Sequence, residues 1–279
     1  MANWLLGIVL GVVQGVSEWL PISSKTQVIF ASTYLFGLTF SEAYAFGLFL
    51  EAGTFIAAVY YFRREVWGVL KALVGRGNEE ERRLLKFLVI VTAFTAIVGV
   101  LIYKFVSETL SGPVLGFPMI ALGGILIGDG ILISLAKGRF IPRKGLKDLR
   151  TRELVLLGIV QGISALPGVS RSGATVSAML LLGINPEDSF KLSFLALIPA
   201  SVGAAGVTVL FSNLQLGAVV SIVGVPVILI AILLSIIIGV VFIRLLLRFA
   251  GSRRIALLTI SLGVLAIFSG VASFLTGAG

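Results

Sequence analysis

The chain has 279 residues, of which 58% are hydrophobic and only 13% charged, and it carries a formal net charge of +9. That balance lies outside the range of ordinary soluble domains and places the chain in a bilayer. Cysteine and histidine are both absent, which excludes disulfides, thiolate nucleophiles, His or Cys metal ligands and an imidazole base; any chemistry must use carboxylates, hydroxyls, amides and cations.

In chain order, the first element is a pair of short apolar pieces, residues 4–16 and 28–38, flanking Pro21. As helices each reaches only about 20 Å at 1.5 Å per residue, against a hydrocarbon core about 30 Å thick. The pair therefore reads as a re-entrant hairpin, tolerated where broken backbone is buried in protein or lines a wet cavity. The amino terminus has no charged region followed by a small-residue cleavage site, so it reads as retained rather than as a signal peptide. Spans of crossing length are predicted at 41–62, 84–105 and 114–136. A second short pair, 154–166 and 174–184, flanks Pro167 and predicts a second hairpin, followed by spans at 187–211, 217–243 and 255–277. The run EEERR at 79–83 reads as a solvated loop. The expected fold is an all-α polytopic membrane protein with six transmembrane helices and two re-entrant helical hairpins.

The chain also repeats itself. Residues 10–17 (LGVVQGVS) match residues 157–164 (LGIVQGIS) at six of eight positions, and with one residue dropped the register continues through Pro21 with Pro167, Ser24 with Ser170, Lys25 with Arg171 and Gly37 with Gly183. One hairpin plus three spans makes each half, residues 1–150 and 151–279, and an odd number of crossings inverts the second copy. Under that threading the loops at 63–86, 137–152 and 244–254 share one face and carry seven, seven and four basic residues. Positive-inside bias makes that face cytoplasmic and puts both termini outside. Basic residues beside apolar spans set orientation, so nucleic acid is not an expected partner.

The polar residues gather at the hairpin tips. Gln14 and Glu18 are four apart and share a helix face. An ionisable group at membrane depth is expensive and marks a functional site, which singles out Glu18 and, by the same logic, Glu51. In each tip the proline breaks the ladder and the next half-helix presents free N–H groups and a positive dipole end. With Ser23, Ser24 and Lys25 in one tip and Ser170, Arg171, Ser172 and Thr175 in the other, both suit phosphate oxygens, and Arg171 can hold two in its planar fork. Thr26 and Ser172 also read as helix caps. The glycines at 11, 15, 158 and 162 have the spacing that lets helices pack closely. Neither tip carries a P-loop ending.

These residues resemble the undecaprenyl pyrophosphate phosphatases, the bacitracin-resistance family, over essentially the whole chain. The first tip is similar to the family's (E/Q)xxxE element followed by P-x-S-S, here Gln14, Glu18, Pro21, Ser23 and Ser24; the second is similar to PGxSRSxxT, here residues 167–175. The resemblance implies hydrolysis of a polyprenyl diphosphate to the monophosphate, recycling the lipid carrier for cell-envelope glycan assembly, in the plasma membrane at a site open to the outer face. It places Ser24 on the nucleophile, Glu18 on the essential acid and metal ligand, Arg171 on the essential arginine, and Ser170 and Thr175 on further phosphate contacts. Gln14, Ser23, Lys25, Gln27, Glu51 and Ser172 complete the expected substrate-binding set. The implied cofactor is Mg²⁺ or Ca²⁺, which suits carboxylate and phosphate oxygens.

The chain departs from the family at one place that matters: Gln27 stands where many members have histidine in P-x-S-S-x-G-H. Gln14, a variant the family allows, likewise removes a possible carboxylate base. Lys25, opposite Arg171 in the repeat, adds a cation and predicts a weaker dependence on the metal. The expected partners are the lipid diphosphate and the membrane, with a homodimer left open. A polyprenyl-phosphate transporter or flippase is the alternative of a different class, favoured by the inverted repeat and the absent histidine.

Overall fold

The computed structural model describes residues 4–20, 22–38, 40–109, 116–135, 144–165, 169–211, 216–250 and 255–275. Pro21, Pro167 and Gly168, on which the hairpin reading leaned, lie outside them. The first pair of short helices is α1 (Trp4–Ser17) and α2 (Ser24–Phe36); α3 (Phe40–Tyr61), α4 (Arg63–Leu73), α5 (Glu79–Thr109) and α6 (Gly116–Leu135) follow. The second pair is α7 (Thr151–Ile163) and α8 (Arg171–Leu181), succeeded by α9 (Pro186–Phe211), α10 (Leu216–Val223), α11 (Val225–Ala250) and α12 (Ile255–Leu275). Among the described residues four helices are long and apolar enough to cross a membrane, within α5, α9, α11 and α12. The protein is a multi-pass, all-helical membrane protein.

Three expectations change. The loop predicted from 63 contains α4, an amphipathic helix that buries Gly68 and Ala72 and exposes Trp67, Leu70 and Leu73. The EEERR run is the capped start of α5: the Asn78 side-chain oxygen accepts from the Glu81 backbone N–H at 2.9 Å, and the Glu81 carboxylate accepts from the Asn78 N–H at 2.8 Å. This reciprocal cap, with three acids facing the positive end of the helix dipole, explains why a charged run is helical. The span predicted at 217–243 is divided at Gly224, whose φ is 87°. Pro226 then sits in the first turn of α11, where its missing N–H costs nothing. Helix α11 runs on to Ala250, so Arg244 and Arg248 are helical rather than in a loop.

Gly37 ends α2 with φ 67°, donating its N–H to the Thr33 carbonyl oxygen at 3.0 Å, and its repeat partner Gly183 follows α8 with φ 79°. Only glycine adopts this left-handed backbone without a Cβ penalty, so both short helices stop where the repeat places the same residue.

Packing exchanges helices between the halves: α1 lies along α11, α7 along α5, and α6 along α12. Glycine makes each approach. A Cβ built on Gly11 would lie 2.6 Å from the Ala231 carbonyl oxygen, and one on Gly15 would lie 2.8 Å from Ile238 Cβ. On α7 the same construction puts Gly158 at 2.7 Å from the Val91 oxygen and Gly162 at 2.6 Å from Val98 Cβ. Gly123 and Gly263 face each other's carbonyl oxygens at 2.5 and 2.6 Å. The expected role of residues 11, 15, 158 and 162 as packing glycines is what the contacts show.

One end of the bundle gathers the charged segments. Arg83 donates to the Lys147 carbonyl oxygen at 3.3 Å, Lys71 pairs with Glu81 at 2.5 Å and Lys191 with Glu65 at 2.9 Å. Arg244 and Arg248 line a cavity with Glu65 and Lys191 at the same end. A valine at Gly11 should destabilise the purified protein by about 1–3 kcal/mol, the usual cost of overpacking. Gly124→Ala, with nothing within 4 Å of the new Cβ, should not. Denaturant titration in detergent reads both, and equal unfolding would remove the α1–α11 contact.

Candidate active site

The two pairs of short helices meet at Glu18 and Arg171. Glu18 follows the end of α1, its neighbour Trp19 is fully buried, and the Trp19 ring meets Phe194 of α9 edge-on with centroids 5.2 Å apart. That anchor fixes the chain on one side of Glu18, while the α1–α11 glycine contact fixes it on the other. Arg171 opens α8, with Ser170 as its N-cap accepting from the Gly173 N–H at 3.3 Å. From there Arg171 Nη2 reaches Glu18 Oε1 at 2.7 Å.

Glu18 is 6% exposed, and its carboxylate accepts two further bonds, both at Oε2: from Ser24 Oγ at 2.5 Å and Gln14 Nε2 at 2.9 Å. The α1 spacing that puts Gln14 and Glu18 on one face is thus used directly. Three donors, one of them a guanidinium, offset part of the cost of burying that carboxylate. The hydroxyl of Ser24 donates to the carboxylate of Glu18, and Arg171 holds the other oxygen of that carboxylate, the geometry that a nucleophile and base pair requires. Arg171 Nε is buried and has no partner. A donor left unsatisfied in a buried site is what an anionic oxygen would satisfy.

The tips are sewn together by serines. Ser172 Oγ donates to the Glu18 and Leu20 carbonyl oxygens, each at 3.2 Å, and Ser170 Oγ also reaches the Leu20 oxygen at 3.2 Å. Ser172 is therefore a bridge between tips, and capping of α8 falls to Ser170. Ser23, at the entry of α2, has φ 48°, the one positive φ at a non-glycine among the described residues. Strain of that kind persists only where surroundings impose it, and it concentrates at functional sites. Thr26 Oγ1 donates to Ser23 Oγ at 3.0 Å rather than capping the helix backbone.

A cavity of about 210 Å³ opens beside the tips, lined on one side by Glu18, Ser23, Ser24, Lys25, Glu51 and Arg171. Ser170 and Ser172 also line it. Three residues expected to touch substrate stand behind this wall. Gln14 is turned to Glu18; Gln27 donates to the Ile22 carbonyl oxygen at 3.0 Å and to Ser269; Thr175 donates back to the Arg171 carbonyl oxygen at 2.8 Å and meets Ser193 at 2.5 Å. Each is held by its own helix or a neighbour, so it supports the tip. Lys25 is not one of two independent cations, because its Nζ lies 3.4 Å from Glu51 Oε1.

Residues the sequence reading passed over line the far side: Thr92 and Thr95 of α5, Gln161 and Ser164 from the end of α7, and Pro199, Ala200 and Gly203 of α9. Gln161 is the repeat partner of Gln14, and that pairing was the one signal that could have found it. Nothing in the sequence marks Thr92 or Thr95, which reach the cavity only because α5 packs on α7. Pro199 interrupts the hydrogen-bond ladder of α9 beside the same space.

The chain matches the family described as Bacitracin resistance protein BacA over residues 7–268. It is 53% identical over 270 residues to an undecaprenyl-diphosphatase of Saccharolobus solfataricus, covering 96% of each chain. It is 45% identical over 274 residues to one of Sulfurisphaera tokodaii, covering 98% of this chain and 99% of that one. A third relative of the same name, from Pyrobaculum islandicum, is 39% identical over 274 residues and 98% of both chains.

Removing one member of the buried pair should be costly, about 3–5 kcal/mol, because the partner charge is left uncompensated. Arg171→Met should therefore lower unfolding stability in detergent by that amount, and adding Glu18→Gln should restore most of it. A double variant no more stable than Arg171→Met would show that the pair is not buried as described.

Proposed function

The chain belongs to the bacitracin resistance protein BacA family, and on that premise we propose that it hydrolyses an undecaprenyl-type polyprenyl diphosphate to the monophosphate and inorganic phosphate, recycling a lipid carrier of cell-envelope glycan synthesis. The observation that carries this reading is the junction of the tips: Ser24 Oγ 2.5 Å from Glu18 Oε2, beside a buried, partnerless Arg171 Nε on the same cavity. The shared name of the relatives supports hydrolysis over transport. The reading includes six spans and two re-entrant hairpins arranged as an inverted repeat, supported by the exchanged helix pairs and the matched glycine ends.

In this mechanism Arg171 binds oxygens of the terminal phosphoryl group through its open fork. Ser24 Oγ attacks phosphorus as its proton passes to Glu18, and the bond from phosphorus to the bridging oxygen breaks, releasing the lipid monophosphate. Glu18 gives that proton up to the departing monophosphate; water then cleaves the phosphoserine, Glu18 taking one of its protons and returning it to Ser24 Oγ as inorganic phosphate leaves. The loose transition state of phosphoryl transfer asks little of a base and much of charge placement, so the absence of an imidazole at Gln27 is tolerable.

A divalent ion fits the donor chemistry. Among the described residues no group of three or more acids or His/Cys ligands could enclose one, but Mg²⁺ typically takes one or two carboxylates and completes its shell with phosphate oxygens and water. Glu18 is the carboxylate proposed to hold it, and when bound it would neutralise phosphate charge.

Two outcomes test this. Purified protein should release phosphate from undecaprenyl diphosphate; Arg171→Ala should lose both binding and turnover, whereas Ser24→Ala should bind and lose turnover by about 100-fold or more. Near-wild-type turnover in both would refute the site. The proposed orientation, with the basic end cytoplasmic, the termini outside and the site open outward, is read by thiol labelling on a chain that has no cysteine of its own. Cysteines at the exposed Glu80 and Lys147 should react only from the cytoplasmic side, and labelling from outside would reverse the orientation.

A further inference from the structure

We propose that Glu51 is the second carboxylate of a divalent-cation site shared with Glu18, held by Lys25 until a diphosphate arrives. The proposal rests on reading the cavity as a diphosphate site. Two carboxylates line that cavity from separate elements, Glu18 at the first tip and Glu51 inside α3. They are held very differently. Glu18 has three donors within 2.9 Å. Glu51, only 7% exposed, faces the Lys25 ammonium at 3.4 Å, longer than the roughly 2.7–2.9 Å of a charge-assisted hydrogen bond. The Lys25 side chain is 46% exposed, so it is a partner that can leave without losing solvation.

Charge makes the exchange necessary. The two carboxylates and two cations on the cavity wall sum to zero, −2 and +2. A diphosphate brings at least two further negative charges into a low-dielectric space, where they are expensive unless matched. A divalent cation matches them. Lys25, adjacent to Ser24, then turns to phosphate while Glu51 turns to the ion. This reverses the expectation of weak metal dependence: Lys25 already faces an acid, so it adds no net positive charge.

Two further observations point the same way. Gln161 is 1% exposed, its Nε2 donates to the Ala196 carbonyl oxygen at 3.2 Å, and its Oε1 is buried without a partner on the same cavity. A hard acceptor oxygen left unsatisfied there suits a water carried by an ion. Gln14, at the motif position that also accepts an acid, donates from one amide nitrogen to Glu18 Oε2 and to Thr54 Oγ1 at 3.4 Å, and Thr54 in turn donates to the Glu51 carbonyl oxygen at 3.1 Å. The amide so occupies the space between α1 and α3 as a donor, and the second carboxylate comes from α3 instead.

Mn²⁺ is the probe, its binding to the full-length protein in detergent followed by the electron paramagnetic resonance signal of the free ion, with and without methylenediphosphonate. In the wild type the diphosphonate should tighten Mn²⁺ binding beyond its own protein-free chelation, as reciprocal coupling requires. Glu51→Gln should weaken Mn²⁺ binding by about tenfold or more. Lys25→Thr should strengthen Mn²⁺ binding without diphosphonate by up to about fivefold, the worth of a half-exposed ion pair, an effect opposite in sign to damage. The double variant should behave as Glu51→Gln. Wild-type affinity in Glu51→Gln, or a double variant that binds as tightly as Lys25→Thr, would overturn the proposal. If such a protein still released phosphate from undecaprenyl diphosphate, the hydrolase reading would stand without it.

Discussion

The buried ion pair between Arg171 and Glu18 joins two residues 153 positions apart and ties the two pairs of short helices into one site. Neither charge could be held at that depth alone. Desolvating a carboxylate or a guanidinium costs several kcal/mol, recovered only with good geometry and additional hydrogen bonds. Here Ser24 and Gln14 supply the extra donors to Glu18. The same arrangement leaves part of the guanidinium unsatisfied, so stability and ligand affinity draw on one group. A site made this way holds its buried charges in place yet keeps one buried donor without a partner.

Bringing the tips together requires the exchange of helices between halves. Each first short helix packs on the long helix of the other half, α1 on α11 and α7 on α5. The close approach is possible because carbonyl oxygens and side chains enter space that a Cβ at Gly11, Gly15, Gly158 or Gly162 would fill. In a bilayer, helix association relies on such packing, since burying apolar surface against protein gains little over burying it against lipid. Glycine spacing and ion pair therefore act together: the first lets the helices approach closely, and the second locks the two short-helix pairs to each other.

Electrostatic neutrality gives the cavity its chemical character. The paired charges on the wall leave it without net charge to offset an arriving anion. Phosphoryl transfer is limited by charge placement more than by proton transfer, so the proposed nucleophile, base and forked cation would act chiefly by placing charge. The helix N-terminus at Arg171 adds a positive dipole end aimed at the same space.

Much of this was legible in the chain itself. Composition dictated a membrane protein, and segment length distinguished the short helices beside Pro21 and Pro167 from the longer ones. The repeat paired Gly37 with Gly183 before either was seen to share a left-handed backbone. Residue chemistry also singled out Glu18 and Arg171, because ionisable groups at membrane depth have few other reasons to be there, and the family resemblance singled out Ser24. What the tertiary structure decided was partnership. That α4 is a helix, that EEERR is a capped start, and that Gly224 divides a span depend on caps and backbone angles that apolar periodicity does not record. The turning of Gln27 and Thr175 away from the cavity, the bridging by Ser172, and the pairing of Lys25 with Glu51 depend on which helices meet. Residue type and spacing fix what a side chain can do and which face of its own helix it takes. Only the packing of distant segments determines what it faces, which is why Thr92, Thr95 and Gln161 reached the site without a signal of their own strong enough to announce it.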